Sequence, residues 1–446
     1  MKQGKVIIVA LALLALAAPA AAAANAARGR VLLDRSFGSA GVLIKPDFGE
    51  QRIALDGYGR VLTADGSSDG FQIVRYLPSG RPDTRFGLNG IAEIPLRTDW
   101  GEVVTAIRVQ PDGKILVAGS YVAELGEGEY QGTAVLARLE ADGSIDEGFG
   151  GFGGFRERPG LIATRGIDAM LVQRGKIVAA GGNGHGYVAR FNPDGSHDRS
   201  FSRNGWASVP PLESGRIYPT NRFTGVSGLV AGRGGSLFAT GWAKEKLMVA
   251  HLRANGRFVR QFGSGGIVHT DVVSYPPCHC LHASGVARDR RGRLLIVGTT
   301  NAASGWSTKV APRMVVLARY WPTGKLDHSF GGDGVVYAGV ASSTFGNGVA
   351  IQRDGRIVVA GSGAKAHRGT ADGPARFIVF RFLPDGRRDQ SFFGDGIFAA
   401  RFGAFSSRAT QALVQQDGRV VVAGWGIFQP PYSDLRGLIA RFRVEH

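Results

Sequence analysis

The sequence predicts an all-β protein, a seven-bladed β-propeller with four antiparallel strands in each blade. Three observations carry that expectation. A mark of the form Asp-x-x-Phe-x-x-x-Gly is written along the whole chain with a period of about 59 residues, the signature of a repeat architecture. Between the marks lie short apolar runs bounded by Asp-Gly, Arg-Gly or Gly-Gly, which are hairpin signals and not helix signals. The 446 residues include 68 glycines without a Gly-X-Y period, as many tight turns would require.

The mark occurs at Asp34/Phe37/Gly41, Asp83/Phe86/Gly90, Asp146/Phe149/Gly153 and Asp198/Phe201/Gly205. It returns at Val259/Phe262/Gly266, Asp327/Phe330/Gly334 and Asp389/Phe392/Gly396. After each glycine a first strand is expected, such as GVVYAGV from Gly334. A second follows, as in AIRVQ before Pro111-Asp112-Gly113. The third is the most regular: KILVAG, KIVAAG, RLLIVG, RIVVAG and RVVVAG. The fourth alternates, as in AVLARL, FIVFRF and LIARF. This reading places blades at about 41–80, 90–143, 153–195, 205–256, 266–324, 334–386 and 396–446, the last closed by 30–37. A β-helix would use shorter, parallel coils, and one unit alone is too small to bury its own apolar faces.

These units resemble the delta-60 repeat family, whose repeats run Asp-Gly-Lys, Ile-Leu-Val-Ala-Gly, then Ala-Arg-Leu-x-x-Asp-Gly-x-Leu-Asp-x-x-Phe-Gly. The likeness is clearest at Pro111 to Gly119 and Arg376 to Gly396, and weakest at the fifth mark, where Val259 replaces aspartate. The resemblance implies the propeller fold. It implies no activity and no site residues.

Seven copies of a residue solve one structural problem seven times. Each phenylalanine is expected to insert between adjacent blades, and each closing glycine to take a positive φ. An arginine stands eight residues before the aspartate at Arg75/Asp83, Arg138/Asp146, Arg190/Asp198, Arg319/Asp327 and Arg381/Asp389. In the remaining internal unit both partners change together, to His251 and Val259. That joint loss points to a bidentate ion pair bracing a blade-to-blade linker. Arg441 has no aspartate after it and Asp34 no arginine before it, so ring closure should join these two.

Residues 1–24 read as a signal peptide: Lys2 and Lys5, then VIIVALALLALAAPA, then an A-x-A site at Ala22 to Ala24. This predicts an exported chain, secreted or in the cell envelope. No later apolar run is long enough to span a membrane. The formal charge of +17 permits an anionic envelope polymer as partner, but the basic residues are spread along the chain, and nucleic acid is not expected. A monomer is expected.

Function should sit where the repeats differ. The loops between third and fourth strands vary most, and their face gathers Trp100, Tyr121, Tyr130, Trp242, Trp306, Trp425, Phe428 and Tyr432. Exposed rings there suit a glycan, peptide or protein. The alternative is that several merely cover strand ends. Cys278, His279, Cys280 and His282 form the densest reactive group, read either as a disulfide or plain loop, or as a zinc or copper site. Otherwise no cofactor is expected. Lys45, Glu93, Arg156, His269, Asp271 and Arg401 are expected toward the central channel, where they form no recognisable triad. The leading reading is a secreted non-catalytic binding or scaffold protein. The alternative is a polymer-acting lyase or hydrolase in the channel.

Overall fold

The computed structural model describes residues 32–45, 52–67, 69–96, 100–126, 129–150, 161–164, 166–182, 185–210, 224–243, 246–272, 281–300, 313–340, 343–364, 374–429 and 434–443. The signal-peptide reading of 1–24 lies outside them. Seven four-stranded antiparallel sheets are present, and one 3-10 turn, Arg233–Gly235, is the only helical element named among the described residues.

The first sheet runs Arg52–Leu55, Val61–Ser67, Gly70–Tyr76, Ile91–Pro95, and the second Trp100–Val109, Ile115–Gly126, Glu129–Leu139, Leu161–Thr164. The third holds Ala169–Gln173, Lys176–Gly181, Tyr187–Phe191 and Trp206–Ser208; the fourth Thr224–Ala231, Leu237–Ala243, Lys246–Leu252 and Ile267–Thr270. The fifth has Leu281–Arg288, Leu294–Thr300, Val315–Tyr320 and Val335–Ala338; the sixth Ser343–Ile351, Ile357–Ala364, Arg376–Phe382 and Ile397–Ala400. The seventh joins Ser407–Val414, Val420–Ile427 and Leu435–Phe442 to Val42–Lys45 from the other end of the chain. There Val42 faces Ala440 and Lys45 faces Gly437, and Leu33 bridges to Phe442. The opening strand of each sheet touches its counterparts in the two neighbouring sheets, all the way round, so these strands wall the axis.

Two expectations are corrected by this register. The sheets begin one strand later than the expected blades, because the strand after each mark pairs back onto the strand before it: Ile91–Pro95 lies on Gly70–Tyr76. The mark is therefore a corner inside one blade, not a linker between blades. Antiparallel pairing with the chain just left behind closes the shorter loop. It follows that Lys45, Glu93 and His269 stand on outermost strands, with Asp271 just beyond the strand of His269 and Arg401 just beyond Ile397–Ala400, far from the axis. Arg156 lies outside the described residues.

The core is divided among the blade interfaces. Phe71, Ile73 and Phe86 of the first blade pack on Val104, Ile107 and Val117 of the second. At the seam Phe37, Ile53 and Val61 meet Val421, Ala423 and Ile439. All seven mark phenylalanines are buried in such clusters, each contributing roughly 1.5–3 kcal/mol. Because blades cover both faces of their neighbours, central strands such as Leu294–Thr300 are buried at every residue and read as unbroken apolar runs. Gly90 closes its corner at φ 96° against Pro82 and Asp83, a conformation that a side chain would strain.

Candidate functional site

The axis has two ends, and the sheet register decides which residues reach each. In five inner strands a β-bulge leaves one polar residue unpaired: Thr105, Ser227, Ser284, Asn347 and Thr410. Several tie one blade to the next. Ser227 Oγ donates to the Ala283 carbonyl at 2.7 Å, Asn347 Nδ2 to the Ala409 carbonyl at 2.7 Å, and Thr105 Oγ1 to the Ile167 carbonyl. Across the seam the Gln411 amide brackets Ile53, accepting from its N–H at 2.9 Å and donating to its carbonyl at 3.1 Å. Asp168 is the exposed carboxylate on this wall; desolvation pushes its pKa up, against the Gly182 N–H and the Arg52 charge.

Two residues before each bulged position, toward the loop-rich end, stand Val103, Gly225, His282, Phe345 and Arg408, each directly opposite a residue of the second strand: Ser120, Trp242, Thr299, Ser362 and Trp425. The Trp242 indole lies over Gly225, where a Cβ would approach it to 2.4 Å, and its ring centre is 4.8 Å from that of His282. The Arg408 guanidinium sits 5.4 Å from the Trp425 ring and 5.8 Å from that of Phe345, and Arg313 lies 5.3 Å from Phe345. His282 is exposed, the rings of Trp242, Phe345 and Trp425 are half-buried, and Arg408 Nε is buried without a hydrogen-bond acceptor among the described residues. Rings and guanidinium groups thus line the mouth across four consecutive blades.

This arrangement sorts the expected aromatic face. Trp242 and Trp425 belong to the mouth. Tyr121 is only 8% exposed and belongs to the core between the first two blades, because the long strand Ile115–Gly126 carries it under its neighbour. Trp100 lies opposite Val122 and Tyr130 opposite Glu124 in the second blade. Phe428 packs under Arg436 at 4.7 Å. Trp306, Tyr432, Cys278, His279 and Cys280 lie outside the described residues. Among the described residues no three His, Cys, Asp or Glu side chains group to hold a metal ion, and His282 is engaged with Trp242. Phe345, Arg408 and Arg313 were not foreseen. The signal of Phe345 and Arg408, a position counted from a bulge, is readable only once the register is known.

The opposite end carries the corners. Arginine Nε meets the aspartate at 2.9 Å in Arg75–Asp83, 2.6 Å in Arg138–Asp146 and 2.8 Å in Arg190–Asp198. It does so at 2.7 Å in Arg319–Asp327 and in Arg381–Asp389, and at 2.9 Å in Arg441–Asp34. The contact is not the expected bidentate fork. One guanidinium nitrogen instead reaches a turn carbonyl of the next blade, as Arg75 Nη1 does to Ala141 at 2.6 Å and Arg441 Nη1 to Pro78 at 2.5 Å. The guanidinium also lies 4.4–4.7 Å above the mark phenylalanine. A second cation, from the start of the blade's second strand, was missed: Lys114–Asp146 2.8 Å, Arg293–Asp327 2.8 Å, Arg356–Asp389 3.0 Å and Arg419–Asp34 3.0 Å. Burial opposes ionisation of Asp34, but Ser36, Arg441 and Arg419 outweigh it and hold its pKa at about 2; at Asp198, Ser200 and Arg190 do the same.

The class of protein is thus a seven-bladed propeller with an aromatic, cationic channel mouth and ion-paired corners. A family described as "Domain of unknown function (DUF5122) beta-propeller" matches residues 110–149, 175–201 and 352–392. No curated protein matches the chain. Among solved structures it is similar to a protein of unknown function from Dyadobacter fermentans, with 13% identity, a TM-score of 0.40 and coverage of 90% of this chain and 100% of that one. It is also similar to a glucose dehydrogenase (12%, TM-score 0.39, 90% and 98%) and to a gluconolactonase from Xanthomonas campestris (12%, TM-score 0.34, 90% and 89%).

Proposed function

We propose that the chain is a delta-60-repeat propeller acting as an exported, non-catalytic binding protein, and that its channel mouth holds a carboxylate-bearing glycan. The observation that carries this reading is Arg408: a cation with a buried, unmatched Nε, held between Trp425 and Phe345 beside His282 and Trp242. Flat rings suit sugar faces, and a guanidinium held among them suits a carboxylate. Catalysis would call for several titratable groups converging on one point, and the carboxylates of the described opening strands and their entries, Glu102 and Asp168, lie on different blades.

Tryptophan fluorescence titrated with short galacturonate oligosaccharides and with their neutral galactose counterparts tests this. Acidic oligomers should quench the emission saturably, neutral ones at least about tenfold more weakly, and Arg408→Ala should remove the difference, on the order of 1–3 kcal/mol for a lost charged hydrogen bond. Equal or absent quenching by both series sinks the reading.

A further inference from the structure

The corner face carries a concentration of charge that the linear sequence hides. In four blades the residue at the tip of the first hairpin is not basic: Tyr58, Asp112, Asp354 and Asp417. In the third, fourth and fifth blades it is Arg174, Arg233 and Arg291, all exposed. Outside this inner row the corners of the third and fourth blades expose Arg199 and Arg203, then Arg253, Arg257 and Arg260. The fourth corner has also lost its aspartate, to Val259. Across segments 173–176, 190–205, 231–237, 251–266 and 288–293 the one exposed carboxylate among the described residues is Asp194.

The segments of the third and fourth blades adjoin, and the fifth blade packs on the fourth along their opening strands. Gln173 Nε2 donates to the Ser236 carbonyl at 3.2 Å, Arg190 Nη1 to the Ala254 carbonyl, and Ser202 N–H to the Asn255 carbonyl at 2.6 Å. Neighbouring turns therefore set the arginines in two concentric arcs. The turn itself does not require arginine: Asp112 accepts the Lys114 N–H at 3.2 Å, and Asp354 and Asp417 accept those of Arg356 and Arg419 at 2.9 Å. At Arg174 the exchange even places a non-glycine residue at φ 52°. In the fifth blade Asp289 instead accepts the Arg293 N–H, at 2.8 Å, so arginine at these three successive tips adds surface charge that the turn does not need.

We propose that this sector binds a linear acidic polysaccharide. Arcs of planar guanidinium groups suit a chain of repeated carboxylates or sulfates, each paired through two donors. The same segments expose no Phe, Tyr, Trp or large aliphatic side chain. That argues against insertion into a membrane and against stacking of single-stranded bases. The sector lies at the end of the axis opposite the mouth, so the two sites are independent.

The test uses the full chain and immobilised polygalacturonate and heparin, with a DNA duplex and vesicles containing anionic lipid as competitors. Both polysaccharides should bind, and raising NaCl from about 50 to about 300 mM should weaken binding at least tenfold. Arg233→Asp with Arg291→Asp gives two blades the aspartate their counterparts already carry, so the fold should hold, as thermal melting will check. This double variant should bind at least tenfold more weakly, whereas Arg353→Asp, exposed on the same face of the sixth blade, should bind as the parent does. The double variant should also keep the tryptophan quenching by short galacturonate oligomers, which separates this sector from the mouth. Unchanged binding by the double variant, an equal loss in Arg353→Asp, or stronger binding to duplex or vesicles than to either polysaccharide overturns the proposal.

Discussion

At the scale of single residues the corner aspartates bear the most. Asp327 is 1% exposed and meets two guanidinium groups while accepting from Ser329. Removing one partner leaves the others buried and unmatched, so Asp327→Ala or Arg319→Ala should cost about 3–5 kcal/mol, read as a fall in urea midpoint. Asp34→Ala should cost as much, because Arg441 and Arg419 would lose the same partner at the seam. Lys45 behaves oppositely. Burial between the last and first blades lowers its pKa to about 7, with Asp65 opposing. A lysine depressed from about 10.4 penalises folding fully below pH 7, and the penalty fades as pH rises toward its unfolded value. Lys45→Met should therefore raise the melting temperature, and more at pH 6 than at pH 10; a gain independent of pH would contradict this.

At the scale of elements the fourth corner shows what the ion pair is for. His251 stands in place of arginine, Val259 of aspartate and Ser236 of the second cation, so all three charges vanish together. Phe238 fills the space, stacking on His251 at 4.1 Å, while His251 meets Phe262 edge-on at 5.2 Å. Burial lowers the His251 pKa, and its Nε2 is buried without a partner among the described residues. A corner can thus be held by rings or by charge, but not by one isolated ion. His251→Arg and Val259→Asp should each lower stability alone and together recover about 1–3 kcal/mol of coupling in a double-mutant cycle. Additive losses would mean that the two positions do not act as a pair.

At the scale of the whole molecule the ring is a cooperative object, because five of the corner arginines (Arg75, Arg138, Arg190, Arg319 and Arg441) also grip a turn of the next blade. Six corners carry aspartates whose pKa lies below the ordinary value. A depressed carboxylate contributes stability that is complete above about pH 4 and lost as pH falls through its folded value, about 2 for Asp34 and Asp198. Acid unfolding followed by circular dichroism should therefore be one steep transition between about pH 4 and 2. A gradual change reaching above pH 5 would show that the corners do not set the limit.

The arginine, aspartate and phenylalanine of the corner were legible in the sequence, since a geometric problem solved seven times writes one solution seven times and the lone exception alters its partners together, but the second cation and the corner's place within one blade were not. The aromatic mouth was legible only in part: Trp242 and Trp425 could be named, Tyr121 was misplaced, and Phe345 and Arg408 went unseen. Repetition therefore fixed the number of blades, the seam between Asp34 and Arg441, and the contacts made in every unit, because these depend on residues close in the chain or bound to one period. Tertiary structure alone decided which strand faces the axis, that Lys45 and Glu93 lie at the rim, and that scattered arginines converge on one sector. Those outcomes depend on pairing register and on the angle between blades, and a slip of one strand moves a side chain from the channel wall to the outer edge without changing a letter of the repeat.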